Sequence, residues 1–195
     1  MSHNNTVLSQ LLKLIPRHEI ERLTNRHDGK RRSDALSRWS QFVALLTGHL
    51  SNRRSLRDIE TTLQTQSQHQ YHLGTQSVSR SALGRANEQL DYEFFTGLFT
   101  TLYQRCTAHQ PRHGFRFKNK LFSLDGSLID LSMKIFPWAD CNSMKAAFKL
   151  HVGLDHDGLI PAFVSLTEGK VGEVNEAAQW DFPKGSVLVF DKGYS

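Results

Sequence analysis

Cysteine is scarce in this chain: Cys106 and Cys141 are the only two in 195 residues. That is too few, at the wrong spacing, for a disulfide framework or a zinc site, and both are expected to be reduced thiols. Long hydrophobic runs are absent too. None approaches the ~18 residues that a bilayer crossing requires. The opening, MSHNNTVLSQLLKLIPRHEI, lacks a basic flank, and Lys13 and Pro16 interrupt its apolar part. The expectation is therefore a cytoplasmic protein without a secretory leader or a membrane partner. Internal repeats are also missing. With 38% hydrophobic and 22% charged residues, the chain has enough apolar material for a core, which argues against wholesale disorder.

What is present is unevenly distributed. Residues 1–113 carry 15 Lys/Arg against 9 Asp/Glu, a balance of +6. Residues 114–195 carry 9 against 10, a balance of −1. Eight of the ten histidines also lie in the first part. A basic front joined to a mildly acidic back fits a polyanion-binding module ahead of something else, and equally an ordinary solvated surface.

Residues 1–113 read as a helical domain. DALSRWSQFVALLTGHL offers Asp34 as N-cap and repeats Leu36, Trp39, Val43, Leu46 and Leu50 at helical spacing. SLRDIETTLQ opens with Ser55 three residues before Asp58, a capping-box pattern, and sets Leu56, Ile59 and Leu63 on one face. SRSALGRANEQLDYEFFTGLFTTLYQRC reads as one continuing helix with Leu83, Ala86 and Leu90 as its buried stripe. The intervening polar QTQSQHQYHLGTQ reads as a loop. Two helices, the second with Arg80, Arg85 and Asn87, suit a DNA-reading helix-turn-helix, although the loop is longer than that motif uses. Arginine and asparagine are the side chains that match guanine and adenine edges. Arg53, Arg54 and Arg57, with Lys30, Arg31 and Arg32, suit sequence-independent phosphate contacts.

Pro111 and Gly114 in HQPRHGFRFKNK mark the boundary, after which the pattern becomes β. LFSLDGSLIDL, KAAFKLHVGLD and LIPAFVSLTEG read as three strands, the last two joined through His156-Asp157-Gly158, a tight hairpin signal. GEVNEAAQW reads as a short helix and SVLVFD as a fourth, buried strand. The fold class is thus α+β or α/β: a helical domain over 1–113, then a mixed sheet over 114–195. A helical crossover into the fourth strand would be right-handed if the strands it joins are parallel.

Two acids stand out. Asp125 follows LFSL and Asp191 follows VLVF, each with glycine next or nearly next. An apolar strand that delivers a carboxylate needs a compensating partner, because desolvating the charge is costly. On neighbouring strands ~4.8 Å apart, two such carboxylates could share divalent cations. Each taken alone is also an ordinary turn starter, since Asp-Gly is a turn pair. His151, in KLHVG, reads as a buried hydrogen-bonded histidine. Asp155, His156 and Asp157 are explained by the hairpin, Trp138 by a core, and Lys145 and Lys149 by a solvated strand face or by phosphate contact.

The residues LFSLDGSLIDLSMKIFPWA, KAAFKLHVGLDHDGLIPAFVSLTEGKVGEVNEA and VLVFDKGYS resemble, in this order, the core of DDE transposases of bacterial insertion sequences, in the insertion-sequence-four branch. SLRDIE, YHLG and VSRSALGRANEQL resemble the helical N-terminal domain of the same family. The resemblance implies a ribonuclease-H-like catalytic domain with Mg²⁺ (or Mn²⁺) held by two aspartates and a glutamate. Asp125 matches the first aspartate and Asp191 the second. It implies double-stranded DNA as partner, both element ends and target, a homodimer on DNA, and a nucleoid-associated cytoplasmic location. The family's glutamate lies in a downstream tyrosine-arginine-acid-lysine helix that has no counterpart here, and Glu168 and Glu173 precede Asp191. The expectation is therefore a C-terminally truncated copy, inactive by itself, with exposed apolar sheet surface. The alternative is a catalytically inactive DNA-binding fragment or transposition inhibitor.

Overall fold

The computed structural model describes residues 6–28, 35–131, 146–168 and 173–191. Lys30, Arg31, Arg32, Asp34, Trp138, Cys141, Lys145 and the Lys192–Ser195 end lie outside them. Seven helices come first, then a four-stranded mixed sheet with one short helix, an α+β arrangement. The chain divides into two compact units, Met1–Leu102 and Tyr103–Ser195. The division falls in the last turns of a helix. It lies earlier in the chain than Pro111 because residues 110–120 contact the sheet: the Gln110 amide donates to the Asp157 carbonyl and accepts from Lys120, and the His113 backbone N–H donates to the Asp157 carboxylate.

The first unit is built from α1 (Val7–Lys13), α2 (Arg17–His27), α3 (Arg38–Leu50), α4 (Leu56–Thr65), α5 (Ser67–Leu73), α6 (Arg80–Gln89) and most of α7 (Tyr92–Thr107). Short polar side chains start four of these helices. Thr6, Ser37, Ser55 and Ser79 each accept a hydrogen bond from the backbone N–H three residues on, satisfying a donor that has no intrahelical partner. The cap of α3 is thus Ser37 and not the expected Asp34. Ser55 caps α4 as its pattern predicts.

Two other expectations are corrected. The polar stretch read as a loop contains α5. Among its described side chains only Leu73 is buried in the core, so its sequence carries no helical stripe. Gly74 ends it in the left-handed conformation (φ 63°), returning its N–H to Gln70 and Tyr71. A Cβ there would also strike the Arg17 guanidinium. The long helix expected from residue 79 to 106 is two helices, broken at Leu90 (ψ 125°). Asp91 causes the break, because its Oδ1 accepts from the Glu93 N–H (3.0 Å) and restarts the chain as α7.

Leu83 and Ala86 of α6 pack on Ile59 and Leu63 of α4 with Leu36, Ala44 and Val78. Phe94 and Leu98 of α7 pack on Ile20 and Leu23 of α2. Between these clusters runs a buried polar network. Arg38 forms a two-pronged ion pair with Asp28, its Nε donating at 2.6 Å, and also donates to Gln41 and to the Ala86 carbonyl. Gln41 in turn donates to Asn87 (2.7 Å).

The second unit's sheet has the order β3-β2-β1-β4, with β1 (Leu121–Leu131), β2 (Ala146–Asp155), β3 (Ile160–Glu168) and β4 (Val187–Phe190). β2 runs antiparallel to both β1 and β3, whereas β4 is parallel to β1. The β3-to-β4 connection therefore passes two strands and carries α8 (Glu173–Ala177). The β2–β3 hairpin turns through four residues, 156–159, where the sequence suggested a tighter turn; Gly158 and Leu159 both take positive φ. One face of the sheet is roofed by aromatic side chains. Phe163 stacks on Trp180 (5.3 Å, 9°) and meets Phe182 (4.7 Å), which meets Phe122 (5.3 Å). Gly153 makes room for this roof, since a Cβ would lie 3.0 Å from the Trp180 ring.

Candidate functional site

Parallel pairing of β1 with β4 decides the geometry of the two acids. The register runs Leu121↔Val187, Phe122↔Leu188, Ser123↔Val189 and Leu124↔Phe190. Asp125 and Asp191 are the next residues on each strand after that last pair. Residues level in a parallel pair project to the same side of the sheet from backbones ~4.8 Å apart. Both acids are exposed; Asp125 alternates with Leu124 in β1 and so belongs to the face opposite the Phe122–Leu124 aromatic roof, while Asp191 directly follows the last residue of β4. Asp125 is not at the end of its strand, as the sequence suggested, because β2 pairs along β1 as far as Leu131. It sits where the β4 ladder stops. Its Oδ1 accepts from the Gly126 N–H (2.9 Å).

Chemically, the donor set is all oxygen and all carboxylate. That suits a hard, oxygen-seeking divalent cation such as Mg²⁺ or Mn²⁺, with water or a phosphate completing the shell, and it does not suit a thiolate- or imidazole-seeking metal. The two aspartates fit such an ion as a partial ligand set. Elsewhere, among the described residues, His27, Asp91 and Glu93 bring ligand-type atoms within 4.8 Å of one another in the first unit. Local structure accounts for that cluster: Asp91 caps α7, and His27 lies 3.7 Å from Glu93 at the end of α2.

The same sheet face carries groups that the sequence did not single out. Ser123, two residues before Asp125, forms a short hydrogen bond with His156 Nε2. His156 meets the ring of Phe115 (6.2 Å between centroids). Behind the hairpin, Lys120 donates to both Asp155 and Asp157 at 2.8 Å. Burial pulls Lys120 down, but the hydrogen bonds and charges of the two carboxylates outweigh it and raise its pKa above the usual 10.5. The Lys120 hydrogen bond holds the Asp157 carboxyl below its usual 3.8 against the opposing effect of burial, with help from the His113 N–H. Asp155 and Asp157 are thus occupied in bracing the hairpin.

His151 is fully buried on the roofed face and pairs through Nε2 with Thr167 (2.9 Å), so it does not share the face of Asp125.

In the helical unit, Arg53, Arg54, Arg57, Arg80 and Arg85 are all exposed. Arg53 and Arg54 lie between α3 and α4, Arg57 in the first turn of α4, and Arg80 and Arg85 on α6. Asn87 is also exposed, but its side-chain oxygen is taken by Gln41. α4 and α6 pack directly on each other, with α5 between them in sequence. Among the described residues no helix is long and apolar enough to cross a membrane.

A family model described as a domain of unknown function, DUF4372, matches residues 3–76. Among curated proteins, the chain is 28% identical over 119 residues to the "Probable transposase for insertion sequence element IS5377" of Geobacillus stearothermophilus. That alignment covers 58% of this chain and 30% of the relative, so the chain spans about a third of the length of the protein it matches. No solved structure matches it. Over part of its length the chain is thus similar to a probable transposase of an insertion sequence.

Proposed function

We propose that this chain is a portion of a DDE-type DNA transposase: a helical, basic DNA-end-binding domain over residues 1–113, then part of a ribonuclease-H-like catalytic domain over 114–195. One observation carries the reading. The β1–β4 register pairs Leu124 with Phe190, so Asp125 and Asp191 each follow directly on the last paired residue of two adjacent strands. The strand order β3-β2-β1-β4 and the likeness to an insertion-sequence transposase support it.

In this reading Asp125 and Asp191 hold Mg²⁺ or Mn²⁺ together with a third carboxylate. The bound ion supplies Lewis-acid stabilisation of charge on a phosphodiester and lowers the pKa of the attacking hydroxyl or water. The aspartates fix where the scissile phosphate sits, and the open sheet face admits the strand. Arg53, Arg54 and Arg57 contact phosphates, while Arg80 and Arg85 on α6 face the bases of the element end. Double-stranded DNA, at element ends and target, is the partner, and two chains act together as a homodimer.

The test is a strand-nicking assay on DNA bearing the element's inverted repeats, with Mg²⁺ or Mn²⁺. It compares residues 1–195, the same chain with the downstream acid supplied, and the latter carrying Asp125→Asn or Asp191→Asn. Cleavage only by the completed chain, abolished by each substitution, is the expected result. Cleavage that survives both substitutions would remove the proposal.

A further inference from the structure

The segment HGFRFK, residues 113–118, joins the helices to β1 and has no part in the reading above. It places two phenylalanines in water. Phe115 is 56% exposed and Phe117 39%. Their rings lie nearly parallel (15°) with centroids 5.6 Å apart, and His113 completes the group at 5.6 and 5.1 Å.

The loop is held in place, so this is a built surface. His113 Nε2–H donates to the Asn119 carbonyl (2.7 Å) and its Nδ1 accepts from the Phe115 N–H (3.3 Å), a combination satisfied by one neutral tautomer. The His113 N–H is anchored on Asp157, and the Asn119 amide on the Gly185 carbonyl. Between the aromatics stand cations. Arg112, Arg116 and Lys118 are exposed, and residues 109–120 contain no acid. The nearest carboxylates, Asp155 and Asp157, are already paired with Lys120. From the Phe115 ring the surface continues through His156 and Ser123 to the face bearing Asp125.

We propose that Phe115 and Phe117, with Arg112, Arg116 and Lys118, form a stacking platform for the unpaired bases of a single DNA strand entering the acidic site. The proposal rests on the transposase reading and deepens it. Alternating rings and cations match a nucleic-acid strand, whose bases stack while its phosphates are neutralised. Duplex bases are already stacked on each other and leave such rings without a partner. A strand frayed at a DNA end supplies the free bases.

Fluorescence anisotropy of residues 1–195, without metal, on a labelled 15-nucleotide oligothymidine and on a duplex of the same length tests this. Phe115→Leu with Phe117→Leu should weaken single-strand binding by at least about fivefold and leave duplex affinity within about twofold. Phe115→Tyr with Phe117→Tyr should restore it. Arg116→Gln with Lys118→Gln should flatten the salt dependence of single-strand binding by about 1.4 in log–log slope. Leucine variants that bind the single strand as wild type does, or that lose both probes equally, overturn the platform. So does tighter binding of oligouridine than of oligothymidine. Wild-type protein that binds duplex but not single strand sinks the platform alone, whereas binding to neither sinks the transposase reading with it.

Discussion

The helical unit and the sheet unit each close off an ion pair, Arg38–Asp28 and Lys120–Asp155, and differ in what surrounds their candidate functional residues. In the first, even the charged groups are closed off: Arg38 is 4% exposed and spends its donors on Asp28, Gln41 and Ala86. In the second, apolar groups are left open. Val164, Leu166, Val187 and Val189 are 38–56% exposed on the face that carries Asp125. A unit whose polar groups are satisfied internally owes its surface chemistry to exposed arginines. A sheet with one bare face offers that face, with Asp125, to whatever binds it.

The comparison is broken most forcefully in the first unit. Arg38→Met leaves the Asp28 carboxylate buried without its partner and should cost about 3–5 kcal/mol in urea unfolding followed by helical circular dichroism. A cost below about 1 kcal/mol would show that the network is not closed. In the second unit, Gly153→Ala drives a Cβ into the Trp180–Phe163 stack and should cost about 1–3 kcal/mol, read from quenching and shift of tryptophan fluorescence.

Smaller effects sharpen the contrast. Asp157 has a depressed pKa, so its contribution is present above pH 3.8 and is lost as pH falls through its lower folded value. Lys120 has a raised pKa, so its contribution is whole below pH 10.5 and is lost as pH rises through the folded value. Chemical denaturation across pH should therefore show a plateau between those limits, and Lys120→Met should erase the Asp157 part of the acid limb. The least change in stability, within about 0.5 kcal/mol, is expected for Asp125→Asn and Asp191→Asn, because both side chains are exposed. Each should nonetheless abolish Mn²⁺ binding measured by paramagnetic line broadening.

Much of the architecture was legible where a local pattern states its own physics. Ser55 before Asp58 reads as a cap, and Leu83 with Ala86 reads as a buried stripe. The apolar runs LFSL and VLVF read as strands that deliver acids, although β1 continues past Asp125 to Leu131. Helix α5 was illegible because a short polar helix held by Leu73 alone shows no period. The break at Leu90 was missed because Asp91 reads as surface until its side chain is seen taking the Glu93 amide. The Phe-Arg-Phe-Lys alternation is plain in the sequence, but beside Pro111 and Gly114 it reads only as a boundary, because nothing local shows that the two rings stay in water.

By itself the sequence determined which residues could become helix, strand and acid, since propensity, capping and hydrophobic spacing act within a few residues of chain. Only the tertiary structure decided that Asp125 and Asp191 leave adjacent strands just beyond the same paired position. That depends on β4 pairing with β1, past two intervening strands, in a register that no local pattern contains. A shift of one residue would have put the two acids out of step, on strands whose successive side chains alternate between faces.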